Sequence, residues 1–238
     1  MVRPIRREMG SIRTVLVTGA NRGLGLEFVR QYAADGWRVL ACCRTLEGTA
    51  ALRDVEGKVE TYILDVSSFP AIEKLANELK GQTIDVLLNN AGIYGSKSSL
   101  FGSVDYDEWL KVLHIDTMAP LKMAECFVDH VATSDLKRIV TLSSKMGSID
   151  DNTSGGSYVY RSSKGAMNVV NKSMAVDLGR MGITSVVLHP GWVKTDMGGP
   201  NGLIDAQESV SGMKNVIDGL DLSKSGHFFN YDGNEIPW

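Results

Sequence analysis

The stretch SYVYRSSKGA, residues 157–166, carries a tyrosine and a lysine at a spacing suited to proton chemistry. Tyr160 and Lys164 lie four residues apart in a helical pattern, which predicts neighbouring side chains about 5–6 Å apart at Cβ. A tyrosine with a pKa of about 10 exchanges protons poorly at neutral pH unless a nearby cation stabilises its phenolate. Lys164 supplies that cation, whereas Tyr158 has only the uncharged Ser162 at the same spacing. Such pairs also occur as plain surface contacts, so the other motifs of the chain must show whether this pair is catalytic.

Strands alternate with helices along the chain, and this alternation predicts the elements that position the pair. The predicted strands cover residues 12–18, 37–43, 59–64, 84–88, 138–142, 183–188 and 227–230. The predicted helices follow residue 25 and cover residues 72–79, 106–131, 157–178 and 206–220, with Ser67 or Ser68 as the cap of the second. Right-handed crossovers then give an α/β fold, a Rossmann-type doubly wound parallel sheet of about seven strands with helices on both faces. We expect one domain over residues 12–238 after a flexible tail, residues 1–11.

A glycine-rich turn separates the first strand from the first helix. It reads Gly19-Ala20-Asn21-Arg22-Gly23-Leu24-Gly25. Glycines let backbone N–H groups approach a phosphate closely, and the dipole of the following helix favours an anion there. The turn therefore predicts a dinucleotide site, although its spacing differs from the commonest glycine fingerprint.

The end of the second strand indicates which dinucleotide is preferred. An NAD site places an acid about twenty residues after the glycine turn, where this chain has Cys43 and Arg44. A guanidinium at Arg44, with a second at Arg22, suits a 2′-phosphate. The sequence therefore favours NADP(H) over NAD(H). The alternative is that Arg44 is an exposed loop residue that binds no ligand.

Further polar residues follow other predicted strands. The carboxyl ends of parallel strands meet at one edge of the sheet, where ligands of such folds bind. The residues expected at this edge are Asp65, Asn90, Ala91, Gly92, Ser143 and Ser144, together with the glycine turn and Arg44.

Composition limits the classes of partner. The 238 residues are 43% hydrophobic and carry a net charge of −3, which argues against nucleic-acid binding. No apolar run reaches the roughly 18 residues that span a bilayer, and no apolar segment of a secretory signal follows the basic start. Three cysteines make no disulfide framework and four histidines show no metal-ligand spacing. We therefore expect a cytoplasmic protein without a metal site.

Five motifs occur in one order between residues 18 and 191. They are Thr18-Gly19-(x3)-Gly23-(x)-Gly25, Asn89-Asn90-Ala91-Gly92, Ser143-Ser144, Tyr160-(x3)-Lys164 and Pro190-Gly191. Together they resemble the short-chain dehydrogenase/reductase family. The stretch before Tyr160, residues 151–156, and the C-terminal residues 231–238 resemble its C-factor and sniffer-type carbonyl reductase branch.

This resemblance implies NAD(P)-dependent interconversion of a carbonyl and an alcohol. Tyr160 is then the general acid or base, Lys164 lowers its pKa and binds the nicotinamide ribose, and Ser144 polarises the substrate oxygen. In the family, Pro190, Gly191, Val193 and Thr195 hold the nicotinamide carboxamide. Asp65 and Val66 meet the adenine, and residues 90–92 line the cofactor cleft.

The chain departs from the family pattern at Asp116, where the family usually has an asparagine that supports a water relay to the lysine. Asp116 is therefore included among the candidate catalytic residues. An ionised aspartate only accepts hydrogen bonds, and its charge opposes formation of a phenolate at Tyr160. Two alternatives stay open: Asp116 preserves the relay, or it impairs catalysis.

The resemblance favours a carbonyl reductase that acts on a small to medium apolar ketone, aldehyde or quinone. Its pocket is expected to draw on Ile93, Tyr94, Met146, Tyr158, Trp192 and Met197. The alternative is an NADP-binding signalling protein of C-factor type. A sugar-nucleotide epimerase is disfavoured because the chain after Pro190 is short. A homo-oligomer, dimer or tetramer, is the expected assembly.

Overall fold

The computed structural model of the protein describes residues 12–96 and 100–238, in which strands and helices alternate as the sequence predicts. The strands are β1 (Thr14–Thr18), β2 (Arg38–Cys43), β3 (Lys58–Ile63), β4 (Val86–Asn89), β5 (Arg138–Leu142), β6 (Thr184–His189) and β7 (Phe228–Asn230). The helices are α1 (Gly23–Ala34), α2 (Ala50–Arg53), α3 (Phe69–Glu78), α4 (Tyr106–Leu113), α5 (Ala119–Ala132), α6 (Tyr158–Gly179) and α7 (Ala206–Asp218). The predicted tail, residues 1–11, lies outside the described residues.

The strands form one sheet in the order β3-β2-β1-β4-β5-β6-β7. Each neighbouring pair is parallel. The strand order reverses between β1 and β4, and a crevice opens at such a switch point beyond the carboxyl ends of the strands. The predicted Rossmann-type sheet is confirmed, while the domain boundaries stay a prediction.

Both faces of the sheet are covered by helices. Successive residues of a strand point to opposite faces, so a strand buried on both sides is apolar throughout. On β1, Val15 and Val17 enter the core under α1 and α7, whereas Leu16 enters the core under α3, α5 and α6. This two-sided burial explains why the sequence of β1 shows no alternation of polar and apolar residues.

The prediction of one continuous helix over residues 106–131 is wrong at residues 114–118. Helix α4 passes through a π-helical turn, His114–Met118, before α5 begins at Ala119. Pro120 has no N–H to donate to the carbonyl of Asp116 four residues earlier, and its ring would clash with that carbonyl in a regular α-helix. The wider turn relieves this conflict, and it places Asp116 at the turn.

Helix α3 begins earlier than predicted, at Phe69 instead of residue 72. Ser68 caps it, because the Ser68 side chain accepts a hydrogen bond from the backbone N–H of Ala71. Pro70 fits the first turn, where its missing N–H would have no helical partner in any case. Of the two serines proposed as caps, the second is therefore the one used.

Replacing Phe127 by alanine should destabilise the fold strongly. Phe127 lies on α5 and is 0% exposed in the core between α5 and the sheet. Its removal should lower the free energy of unfolding by about 3–5 kcal/mol, because it deletes buried surface and leaves a cavity. Urea denaturation measures the loss. Phe101→Ala is the matched control, since Phe101 is 91% exposed, and an equal loss in both variants would contradict the packing described.

Candidate active site

The glycine turn between β1 and α1 adopts a shape that requires glycine. Gly19 and Gly23 have φ angles of +64° and +52°, in the left-handed region that disfavours side chains. A Cβ built on Gly25 would lie 2.1 Å from the carbonyl oxygen of Gly19. Arg22, the N-cap residue of α1, makes no side-chain cap hydrogen bond. The first N–H groups of α1 therefore lack a side-chain cap, and the turn fits the phosphates of a dinucleotide.

The segment after β4 connects the glycine turn with the tyrosine and lysine pair. The side-chain amide of Asn90 donates to the carbonyl oxygens of Thr18, at 2.8 Å, and Gly19, at 3.1 Å. A Cβ built on Gly92 would lie 3.3 Å from Lys164 Nζ. Residues 90–92 therefore touch the turn at one end and the lysine at the other.

Tyr160 and Lys164 are both buried, at 8% and 6% exposure, so they are not a surface pair. They lie on the first turns of α6, and Lys164 Nζ lies 5.6 Å from the centroid of the Tyr160 ring. Lys164 also donates to the carbonyl oxygen of Leu142 at 3.1 Å, which ties α6 to the carboxyl end of β5.

Asp116 forms a buried ion pair with the lysine. Its Oδ2 lies 3.3 Å from Lys164 Nζ, and its side chain is 0% exposed. Its Oδ1 accepts a hydrogen bond from the backbone N–H of Ile93 at 2.8 Å. Sequence reasoning singled out Asp116 for its position in the family pattern but did not foresee a direct contact with Lys164.

Burial dominates the ionisation of Tyr160. It raises the pKa of this tyrosine, the Lys164 charge lowers it, the Asp116 charge raises it, and a hydrogen bond with Ser144 lowers it, with a net increase. The lysine thus lowers the pKa of Tyr160 as the sequence predicts, and burial outweighs this effect. Burial likewise lowers the pKa of Lys164, but Asp116 and Tyr160 raise it further, so its net shift is upward.

The two serines after β5 point in different directions. Ser144 is 7% exposed and hydrogen-bonds to Tyr160. Ser143 donates to Oδ1 of Asn168 at 2.7 Å, inside the packing of α6 against the sheet. Of the two serines, the second is therefore the one that interacts with Tyr160.

The segment after β6 folds back over the glycine turn. Val193 forms a bridge with Ile204, and Gly191 has a φ angle of +82°. A Cβ built on Gly23 would lie 3.6 Å from Cγ2 of Thr195. The structure therefore brings Thr195 to the glycine turn, whereas Gly191 and Val193 pack against Ile204.

The two arginines proposed for a 2′-phosphate differ in their surroundings. Arg44 follows β2 and its side chain is exposed. Arg22 forms an ion pair of 3.3 Å with Asp196, both side chains being largely exposed. Sequence reasoning missed Asp196, although it lies only one residue after Thr195. An exposed pair of this kind contributes about 0–1 kcal/mol, so a phosphate can compete for Arg22.

Other proposed cofactor residues have structural partners. The Asp65 carboxylate accepts hydrogen bonds from the backbone N–H and the hydroxyl of Ser67, which form the turn after β3. Leu24 and Val66 are partly buried against the cores on opposite faces of the sheet. Asn21 lies against Gly48, where a Cβ would be 3.0 Å from its amide nitrogen.

The aromatic ring of Tyr94 and the apolar side chain of Met146 lie near Tyr160. The ring of Tyr94 stacks on that of Tyr160 with centroids 4.3 Å apart. The Tyr94 hydroxyl lies 3.8 Å from the sulfur of Met146 and 3.3 Å from the hydroxyl of Ser157. Ser157 precedes α6 with a φ of +48°, a strained value for a side-chain-bearing residue. Backbone strain of this kind occurs often at functional sites.

Three of the other predicted pocket residues, Tyr158, Trp192 and Met197, are exposed at the surface. Tyr158 is 40% exposed, and its ring faces that of Phe101 with centroids 6.5 Å apart. Trp192 donates its indole N–H to the carbonyl oxygen of Gly198, and Met197 is exposed on the same segment. Sequence reasoning missed Phe101, and the apolar pair Leu100 and Phe101 within a polar loop is the signal that would have found it.

The fold and the cradle define a dinucleotide-binding protein, and comparison with known proteins gives its family. The family model for short chain dehydrogenases matches residues 13–203. The chain therefore belongs to the short-chain dehydrogenase/reductase family of NAD(P)-dependent oxidoreductases. In the described ranges, 12–96 and 100–238, no helix is long and apolar enough to cross a bilayer.

Individual relatives agree with the predicted branch of the family. C-signal of Myxococcus xanthus is 45% identical over 155 residues, which cover 65% of this chain and 93% of that protein. Carbonyl reductase Sniffer of D. melanogaster is 35% identical with a TM-score of 0.88, covering 96% of this chain and 100% of that one. An NADPH-bound carbonyl reductase from chicken fatty liver is 32% identical with a TM-score of 0.85 and the same coverage.

Replacing Gly25 by alanine should weaken cofactor binding without unfolding the protein. The added Cβ would meet the Gly19 carbonyl and the Asn90 amide, so the turn must open. We expect affinity for the nicotinamide cofactor to fall by at least about tenfold in a fluorescence titration. Gly179→Ala is the control, because a Cβ there has no neighbour within 4 Å. Equal affinity of both variants would show that the turn does not hold the cofactor.

Proposed function

We propose that the protein reduces carbonyl groups and that Ser144, Tyr160 and Lys164 carry out the proton chemistry. The observation that carries this proposal is the position of residues 90–92, between the glycine turn and the lysine. The phosphate cradle and the buried proton donor are therefore neighbours. Hydride transfer to a carbonyl requires this proximity, since the oxygen must be protonated as the carbon is reduced.

Residues from five strand ends and from α6 would hold the cofactor. They are Gly19, Asn21, Arg22, Gly23, Leu24, Gly25, Arg44, Asp65, Val66, Asn90, Ala91, Gly92, Tyr160, Lys164, Pro190, Gly191, Val193 and Thr195. When bound, the reduced nicotinamide supplies the hydride. The protein supplies orientation, a proton and the exclusion of water.

The proton comes from Tyr160. The hydroxyl groups of Tyr160 and Ser144 bind the substrate oxygen and stabilise the charge that develops on it. As the carbonyl carbon accepts the hydride, this oxygen takes the Tyr160 proton, and the carbonyl becomes an alcohol. Lys164 stabilises the resulting phenolate until solvent returns a proton, which restores the starting state.

The substrate proposed is a small to medium apolar ketone, aldehyde or quinone. The ring of Tyr94 covers one side of Tyr160, and the side chains of Met146 and Tyr158 extend the apolar surface outward. Planar substrates suit this surface best, because an aromatic ring can stack on its neighbours. Trp192 and Met197 are proposed to complete the outer wall.

NADP(H) is the proposed cofactor, in preference to NAD(H). Two cations, Arg44 after β2 and Arg22 in the glycine turn, support this choice, and no acid follows β2 at the position where an NAD site would have one. A relative of similar fold is described as NADPH-bound. If these positive charges set the cofactor preference, an acidic residue in place of Arg44 should reverse it.

The second candidate function is that of an NADP-binding signalling protein with little or no turnover. The 45% identity to a protein named C-signal favours it. The buried Tyr160 and Lys164 favour the enzyme, since a sensor has no need of a proton donor. A homo-oligomer is still our prediction for the assembly, and three unpaired cysteines support the proposed cytoplasmic compartment.

Tyr160→Phe should abolish turnover and leave cofactor affinity unchanged. The variant keeps the ring that stacks on Tyr94 but loses the proton, and we expect kcat for carbonyl reduction to fall by about 10²–10⁴-fold. Tyr158→Phe is the matched control, two residues away with the uncharged Ser162 in place of the lysine at i+4, and should stay active. Turnover by the Tyr160→Phe variant would show that Tyr160 is not the proton donor. No reduction of a broad carbonyl panel by wild-type protein that binds NADPH would favour the signalling function.

Arg44→Asp should invert the cofactor preference. The acid repels a 2′-phosphate and can accept hydrogen bonds from the hydroxyl groups of an NADH ribose. We expect NADPH affinity to fall roughly ten- to a hundredfold while NADH affinity rises. Titrations with both cofactors measure the change. Arg53→Asp, an exposed arginine at the end of α2, controls for net charge, and an equal response of the two variants would remove the 2′-phosphate argument.

A further inference from the structure

The carboxylate of Asp116 neutralises the lysine of the proposed proton donor. The Asp116 side chain is 0% exposed and the Lys164 side chain 7%, and their charged atoms lie 3.3 Å apart. Water cannot screen a pair buried to this degree, so the charges act strongly on neighbouring groups. An asparagine at this position would leave the ammonium group as an uncompensated positive charge beside Tyr160.

Several contacts hold the carboxylate in place. Oδ1 of Asp116 accepts from the backbone N–H of Ile93, and Oδ2 accepts from the hydroxyl of Ser163 at 3.4 Å. The π-helical turn imposed by Pro120 sets the direction from which Asp116 meets α6. Donors from the segment after β4 and from α6 therefore hold both carboxylate oxygens of Asp116.

We propose that Asp116, by neutralising Lys164, keeps Tyr160 protonated through neutral and mildly alkaline pH and so maintains it as a proton donor for carbonyl reduction. This inference rests on the proposed function. The reverse reaction needs the phenolate as a base and rises only at higher pH. Because the overall equilibrium fixes the ratio of the two directions at any one pH, the inference concerns the pH range of each reaction and not their ratio.

The other ionisable groups near Tyr160 do not replace this effect. Lys145 pairs with Asp151 at 3.0 Å, and Arg161 donates to Met146 and Ser154. His114 hydrogen-bonds to the carbonyl oxygen of Ser67. Glu108 on α4 is half-buried beside Gly95, where a built Cβ would lie 3.5 Å from its carboxyl carbon. Besides burial, the groups that shift the pKa of Tyr160 are Lys164, Asp116, Ser144 and Tyr94.

The sign of the expected change follows from these contributions. Burial and Asp116 raise the pKa of Tyr160, and Lys164 lowers it. Removing the negative charge of Asp116 leaves the lysine unopposed, so the pKa of Tyr160 falls. Reduction requires the protonated phenol, and its rate therefore declines at a lower pH in a variant without the carboxylate.

Asp116→Asn is the direct test, because asparagine has the same shape and its oxygen can still accept from Ile93. We expect the alkaline decline of kcat/KM for reduction to move to lower pH by about one unit, the lower end of the effect of a nearby charge. At a pH above both pKa values, the variant is then about tenfold slower than wild type. Asp116→Ser removes the same charge and should give the same shift.

Asp85→Asn is the matched control, since Asp85 is a 5% exposed carboxylate at the amino-terminal edge of the sheet, opposite the edge that carries the site. It accepts a hydrogen bond from the backbone N–H of Thr14. Its pH profile should equal that of wild type. An alkaline decline that stays at the wild-type pH in both Asp116→Asn and Asp116→Ser would overturn the inference, as would an equal shift in Asp85→Asn.

A second measurement does not depend on a substrate. Ultraviolet titration of each protein against its Tyr160→Phe counterpart follows the phenolate of Tyr160 directly. A lower pKa in Asp116→Asn supports the inference about the ion pair, and an unchanged pKa overturns it. If the pKa falls while no carbonyl compound is reduced, the proposed function fails and the effect of Asp116 on Tyr160 stands.

Discussion

The burial of three ionisable groups together is the constraint on which the site depends. Tyr160, Lys164 and Asp116 are each less than one-tenth exposed, and they come from α6 and the turn between α4 and α5. Removing one partner of a buried ion pair typically costs roughly 3–5 kcal/mol, because the other charge is left in a medium that solvates it poorly. The elements that carry these groups are therefore held to one arrangement, and that arrangement sets the protonation of the tyrosine.

The parallel sheet makes this arrangement available to a dinucleotide. Its strand order reverses between β1 and β4, so the glycine turn and the segment after β4 flank one crevice. The Asn90 amide donates hydrogen bonds to the carbonyl oxygens of Thr18 and Gly19. It thereby fixes the distance between the glycine turn and residues 90–92, which pack against Lys164. A single side chain thus links the glycine turn to the segment that packs against Lys164.

Much of the fold was predictable because its signals are local. Apolar runs of strand length, helical spacing after residue 25 and the serine before α3 each depend on a few neighbouring residues, and each is found in the structure. The helix over residues 106–131 was predicted as regular because its apolar spacing continues across Pro120. The consequence of the proline, a wider turn at Asp116, follows from one missing N–H group and a steric clash that periodicity does not register.

The sequence by itself determined the residue types of the site: a tyrosine and lysine on one helix face, a glycine turn before a helix, and an aspartate where the family resemblance implies an asparagine. The tertiary structure alone decided that Asp116 contacts Lys164, that Tyr94 stacks on Tyr160 and that Arg22 meets Asp196. It also decided the direction in which the pKa of Tyr160 moves. The reason is that these distances join residues far apart in the chain, and both they and the loss of water around a charge are set by packing.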